Sequence, residues 1–252
     1  MNAFAEVSPA LFACAALAAI LVGLSKGGLP SIGMLAVPIL GLAVSPVTAA
    51  AVLLPIYVVS DLFGLYLYRH AYSGRNLRIL VPASIAGVVI GWAGASMVSE
   101  RGMTLLIGGI GLAFCADQWR KRHRAVSPAP ADVPRGIFWG ALTGFTSFVS
   151  HSGAPPFQMY VLPQKLPKLE FAGTSTILFA IVNAAKIVPY YALGQLSPAN
   201  LTLAPLLCPF ALVAAFVGAR LVRVMPERLF YVLVFVALFA VSLKLVVDGL
   251  FP

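Results

Sequence analysis

The chain has 252 residues, of which 60% are hydrophobic and only 10% charged, and its mean hydropathy is +0.95. A soluble domain carries about a quarter of its residues as charges, so this composition excludes one. The net charge of +9 does not mark a nucleic-acid partner, because Lys and Arg gather at the ends of apolar blocks, the arrangement that orients membrane helices.

Apolar residues run in blocks of roughly 15–24, the length of helices that cross a bilayer. The predicted fold class is an all-α polytopic membrane protein with 8–10 transmembrane segments. Ten apolar segments are expected, at 8–24, 30–44, 46–68, 77–98, 102–119, 136–149, 154–164, 170–192, 199–221 and 227–247. Before the first of them stands Glu6 and no Lys or Arg, whereas a cleavable signal peptide begins with basic residues, so the first segment is expected to be retained. The stretch 120–135 opens on Arg120-Lys121-Arg122-His123-Arg124 and continues through Pro128, Pro130 and Pro134. It reads as a basic, Pro-rich linker between a first transmembrane repeat at 1–119 and a second at 136–252.

The halves repeat. Gly28, Pro30, Met34 and Pro38 recur as Gly153, Pro155, Met159 and Pro163, each displaced by 125 residues. Placing the linker in the cytoplasm and alternating sides puts thirteen of the seventeen basic residues on its side. Because each half holds an odd number of segments, the second half is then inverted relative to the first. Hydrophobic segments broken by Gly and Pro at matching places in two halves are the best sequence pointer to a transporter's binding site.

Both breaks join short segments. Ser25-Lys26-Gly27-Gly28-Leu29-Pro30-Ser31 links the first two, and Ser150-His151-Ser152-Gly153-Ala154-Pro155-Pro156 links the sixth and seventh. Several of these segments fall below the roughly 20 residues that span about 30 Å of hydrocarbon, which suits re-entrant helical hairpins whose tips meet near the midplane. The second arm of each hairpin would point its helix N-terminus, with free N–H groups and the positive dipole end, at a shared anion. The alternative is two tight interhelical turns with close Gly and Ser packing.

Candidate substrate-binding residues at the breaks are Ser25, Lys26, Gly27, Gly28, Ser31, Ser150, His151, Ser152, Gly153 and Gln158. Lys26 supplies a cation if its segment re-enters; if the segment spans fully, the residue lies in a cytoplasmic loop and serves topology. Histidine is the side chain that ordinarily titrates near neutral pH, so His151 suits either a proton relay or a structural hydrogen bond. Asp61 and Lys186 lie inside long apolar segments at repeat-equivalent positions, where an isolated charge costs at least about 2.5–3.5 kcal/mol. They read as a structural ion pair, as a switchable pair, or as an anion ligand (Lys186) with a proton carrier (Asp61). Asn183 shares a helix face with Lys186, and Tyr57 shares one with Asp61. Cys14, Cys115 and Cys208 lie far apart, with no metal or disulfide spacing. No phosphate-binding Gly-x-x-x-x-Gly-Lys-Ser/Thr run occurs, and no cofactor or metal is expected. Trp92, Trp119 and Trp139 read as packing or interfacial anchors.

With the Gly27-Gly28…Pro30…Pro38 run, its echo at Gly153…Pro155…Pro163 and the basic central linker, the chain resembles the sulfite exporter TauE/SafE family, also called the toluene-sulfonate uptake permease family. The resemblance covers residues 8–250. It implies a multi-pass carrier in the bacterial inner membrane, with sulfite, thiosulfate or an organosulfonate as its substrate and the lipid bilayer as its surroundings. It leaves the direction of transport and a homodimeric state open. Proton-coupled alternating access, with Asp61 and His151 as candidate proton carriers, is the function expected. The competing readings are a passive anion channel and an intramembrane serine hydrolase using Ser150 or Ser152.

Overall fold

The computed structural model describes residues 9–94, 100–121, 127–196 and 203–250. The expected Glu6, the Arg122-His123-Arg124 part of the linker and the edges of the first, fourth and ninth segments lie outside them. Every element among the described residues is helical. The first half comprises α1 (Pro9–Lys26), a 3-10 helix (Pro30–Leu35) that runs into α2 (Ala36–Gly41), α3 (Pro46–Tyr68), α4 (Gly74–Ala93) and α5 (Glu100–Lys121). The second comprises α6 (Val133–Ser150), α7 (Ala154–Val161) with a 3-10 turn (Leu162–Gln164), α8 (Lys168–Ala192), α9 (Ala204–Val224) and α10 (Glu227–Leu250).

Local chemistry explains the boundaries. Ser45 caps α3 by accepting from the Thr48 N–H at 3.2 Å, and Asp132 caps α6 by accepting from the Arg135 N–H at 2.9 Å. Both helices carry proline in their first turn, where no N–H partner is lost. The linker is therefore shorter than the sequence suggests: Arg120 and Lys121 finish α5, and Val133 already starts α6. The predicted segment 30–44 is not one helix. Pro30 opens it in 3-10 geometry and the Ala36 N–H bonds back to Gly33, so an α-ladder is established only from Ala36.

Six helices (α1, α3, α4, α8, α9 and α10) are long and apolar enough to cross a membrane. At 22 and 18 residues, α5 and α6 also have the length. The stretch Pro30–Gly41 rises only about 20 Å, and Ala154–Gln164 about 17 Å, too little for a hydrocarbon core of about 30 Å. Polarity is distributed inside out relative to a soluble protein. Leu206, Val213, Phe216 and Val224 of α9 are exposed, while Lys26, Asp61, Gln158, Asn183 and Lys186 are buried. This is a multi-pass membrane protein with its polar groups turned inward.

The halves interlock. Helix α1 packs on α9, and its counterpart α6 packs on α4; α3 packs on α8 and α5 on α10. Helix α4 touches α8 and α9 touches α3. Each contact therefore keeps its form when the two halves are exchanged. The α4–α6 and α1–α9 seams depend on glycine, which lets backbones approach closely. A Cβ on Gly144 would collide with the Ser84 carbonyl, one on Gly87 with the Ala141 carbonyl and one on Gly23 with the Ala211 carbonyl. Gly109 faces open space. Gly144→Leu is expected to lower the thermal midpoint in detergent by more than 10 °C or to abolish folded yield, through overpacking of at least about 3 kcal/mol. Gly109→Ala should shift it by less than about 2 °C.

Candidate functional site

The residues singled out by their charge converge at the centre of the bundle, though not in the pairing expected. Lys26 is the last residue of α1, and its Nζ lies 2.7 Å from Asp61 Oδ1 of α3, with both side chains only 4% exposed. Asn183 of α8 donates from Nδ2 to the other carboxylate oxygen at 2.8 Å. The ammonium also sits over the Tyr57 ring, 4.9 Å from its centroid, a cation–π contact that adds to the ion pair. Asp61 and Lys186 therefore do not pair with each other. The reason is placement: the C-terminal end of α1 reaches α3, whereas Lys186 faces α6.

Lys186 is wholly buried and donates to three acceptors, each at 3.2 Å: the Ser147 carbonyl, Ser147 Oγ and His151 Nδ1. Donation to Nδ1 leaves the ring proton on Nε2, which lies 3.1 Å from the Tyr190 hydroxyl. Tyr190 in turn donates to the Phe148 carbonyl at 3.3 Å. His151 caps the C-terminus of α6 in the left-handed region, at φ 53°, and stacks on Tyr57 with centroids 5.3 Å apart. Tyr57 is anchored by donating to the Gly33 carbonyl at 2.8 Å. Lys26 and His151 occupy repeat-equivalent positions, each at the C-terminal end of a helix that carries the negative end of its dipole towards the centre.

Between these groups lies a cavity of about 30 Å³, room for about two waters. Its wall includes Ser25, Lys26, Tyr57, His151, Thr176 and Asn183. Gly27 and Gly28 lie off the wall. Gly27 packs against Gly218, and Gly28 adopts φ +109°, where a side chain would also strike the Tyr68 hydroxyl. That hydroxyl donates to the Gly27 carbonyl at 2.6 Å and fixes the turn. Gly153 packs under Phe179. Gln158 Nε2 donates to Ser31 Oγ at 2.5 Å, so the returning arms of the two hairpins touch directly.

The cradle of two opposed helix N-termini is not formed. The first returning arm starts as a 3-10 helix at Pro30. In the second, Pro155 and Pro156 remove two of the three leading N–H groups, and the next, from Phe157, bonds to Gly153. Ser25, Ser150 and Ser152 donate to backbone carbonyls at Val22, Thr146 and Ser150. Neither Ser150 nor Ser152 bonds to His151, whose nitrogens face Lys186 and Tyr190, so the hydrogen bond required by a hydrolase dyad is not made.

Sequence reasoning missed Ser147, Thr176 and Tyr190. A signal existed: Thr176, Phe179, Asn183, Lys186 and Tyr190 recur at i+3 and i+4 along α8 and so form a single stripe. Ser147 stands one turn before His151 on α6. Replacing Asp61 by Ala strands a buried ammonium and should cost about 3–5 kcal/mol, whereas Lys26→Met with Asp61→Leu should recover most of it. Thermal unfolding in detergent of both variants checks this.

Two broken hairpins thus contribute to a polar cavity lined by Lys26, with Asp61 bonded to that lysine and Lys186 behind Ser147 and His151. A model of the family described as sulfite exporter TauE/SafE matches residues 14–245. No curated protein and no solved structure matches the chain. With the match spanning nearly the whole bundle and both hairpins, the chain belongs to the TauE/SafE sulfite exporter family of membrane transporters.

Proposed function

We propose that the protein is a secondary carrier that moves a small sulfur oxyanion, such as sulfite, thiosulfate or a compact organosulfonate, across the bacterial inner membrane by alternating access. The observation that carries the reading is the buried ion pair of Lys26 and Asp61, whose lysine lines a cavity between two broken hairpins. A structure needing only rigidity has no use for an ionised pair there, since apolar residues of equal volume hold helices at least as well.

The exchange of helix contacts between the halves supports an inverted repeat, and the distribution of Lys and Arg supports a cytoplasmic linker. Room for about two waters is too little for a sulfur oxyanion, so an anion enters by displacing the hairpin ends. Lys26 and Lys186 attract the anion, while Asn183 and Thr176 offer neutral polar contacts. When the anion carries a second charge, Lys26 turns to it, and Asp61, having lost its counter-ion, takes up a proton. The Ser31–Gln158 bond joins the hairpins while the halves rock around them.

Reconstituted in liposomes, the protein should take up labelled sulfite with saturation and exchange it against unlabelled anion inside. Lys186→Ala should reduce uptake at least about tenfold, equivalent to 1.4 kcal/mol. With thiosulfate, which keeps two charges around neutrality, Asp61→Asn should abolish the dependence of flux on pH. Flux that rises linearly with concentration at channel-like conductance would overturn the carrier, and unchanged pH dependence in Asp61→Asn would remove Asp61 from the proton path.

A further inference from the structure

Beyond the kind of anion, the site constrains its charge, an inference that rests on the carrier reading. We propose that the central site holds cargo of one net negative charge: a monoanionic sulfonate or hydrogensulfite enters alone, and a dianion enters only with a proton on Asp61.

The argument is a census of buried charge. Lys26 and Asp61, 2.7 Å apart, cancel. Lys186 is different. Among the described residues it has no carboxylate within salt-bridge distance, and its three bonds go to neutral acceptors. With His151 in the tautomer that accepts at Nδ1, three acceptors around one nitrogen use the three donors of an ammonium. With Lys186 in that form, the site carries one cation that no carboxylate compensates. It stands directly behind Ser147 and His151, both of which line the cavity. In a dry interior an unbalanced charge is costly, and one anionic charge brought beside it removes that cost.

A second negative charge finds no second free cation. Lys26 is committed to Asp61, and the carboxylate repels the newcomer. The groups facing Asp61 are Lys26 from α1, Asn183 and Lys186 from α8, and Tyr57 from its own helix, with His151 stacked behind Tyr57. Of these, only Lys26 is bound to the carboxylate as a cation, so protonating Asp61 frees Lys26 and raises the site from one positive charge to two. A dianion then fits, and the sum of anion and proton is again one negative charge. Neutral Asn at position 61 imitates the protonated carboxyl permanently.

The test is calorimetric titration of the purified protein with methanesulfonate and sulfate, whose charges are fixed around neutrality, at several pH values. Wild type should bind methanesulfonate at least about tenfold more tightly than sulfate at neutral pH. Methanesulfonate affinity should not change with pH, while sulfate affinity should fall about tenfold per unit as pH rises, the slope for uptake of one proton. Asp61→Asn should reverse the preference towards sulfate. Lys26→Gln combined with Asp61→Asn should restore the preference for methanesulfonate and leave sulfate binding independent of pH. Lys186→Met should lose methanesulfonate affinity at least about tenfold. A wild type that prefers sulfate, or Asp61→Asn with unaltered selectivity, overturns the proposal. Sulfate binding that still depends on pH in the double variant also overturns it, by assigning the proton to His151. If Asp61→Asn does not fold, the charge-neutral double variant carries the comparison with wild type. Equal binding of both anions defeats the charge rule but leaves the carrier standing, whereas a folded wild type that binds neither anion defeats the carrier reading itself.

Discussion

The structure depends on one buried ion pair. Lys26 and Asp61 bring full charges into a bundle whose surroundings offer no solvation, so each must answer the other at close range. That demand fixes where α1 ends, because the ammonium must arrive at the level of Asp61 on α3. It also fixes why the chain breaks there. The turn after Lys26 needs Gly28 at φ +109°, and Tyr68 ties the Gly27 carbonyl so that the break does not leave a buried acceptor unpaired. Asn183 satisfies the remaining carboxylate oxygen from the other half of the molecule. Through this pair and its partner amide, three helices from both repeats share one electrostatic account.

The second break solves a related problem differently. His151 stands where Lys26 stands, but it accepts a hydrogen bond from Lys186 and passes its own proton towards Tyr190. One half thus presents an ion pair and the other a chain of neutral acceptors ending at a lysine. The two breaks correspond at an offset of 125 residues yet differ in charge.

Much of this was legible in the sequence. The apolar blocks announced a multi-pass helical bundle, and the 125-residue echo located both breaks to within a residue or two. Asp61, Lys186, Lys26 and His151 stood out because charge inside an apolar block is costly. Their partners were less legible. Repeat equivalence suggested that Asp61 meets Lys186, but equivalence states which positions correspond, not which side chains are long enough and aimed to touch. The N-terminal anion cradle failed for a reason already written in the chain, since Pro155-Pro156 deletes the donors such a cradle needs. Thr176 and Tyr190 were overlooked because neither is charged, although their spacing with Asn183 and Lys186 places them on one face of α8.

That face has a consequence for substitution. Helix α8 is continuous through 25 residues, and it bears its site residues at intervals fixed by the helical repeat, so no single one can be re-aimed without turning the whole rod. The ends of α1 and α6 are under no such constraint. Each is a terminus followed by a glycine-bearing turn, and each contributes one decisive side chain, Lys26 or His151. A side chain at either terminus can therefore be exchanged or re-aimed by its turn alone, with α8 as an unchanging gauge. Because the termini lie in different halves of the chain, a change at one leaves the turn at the other untouched.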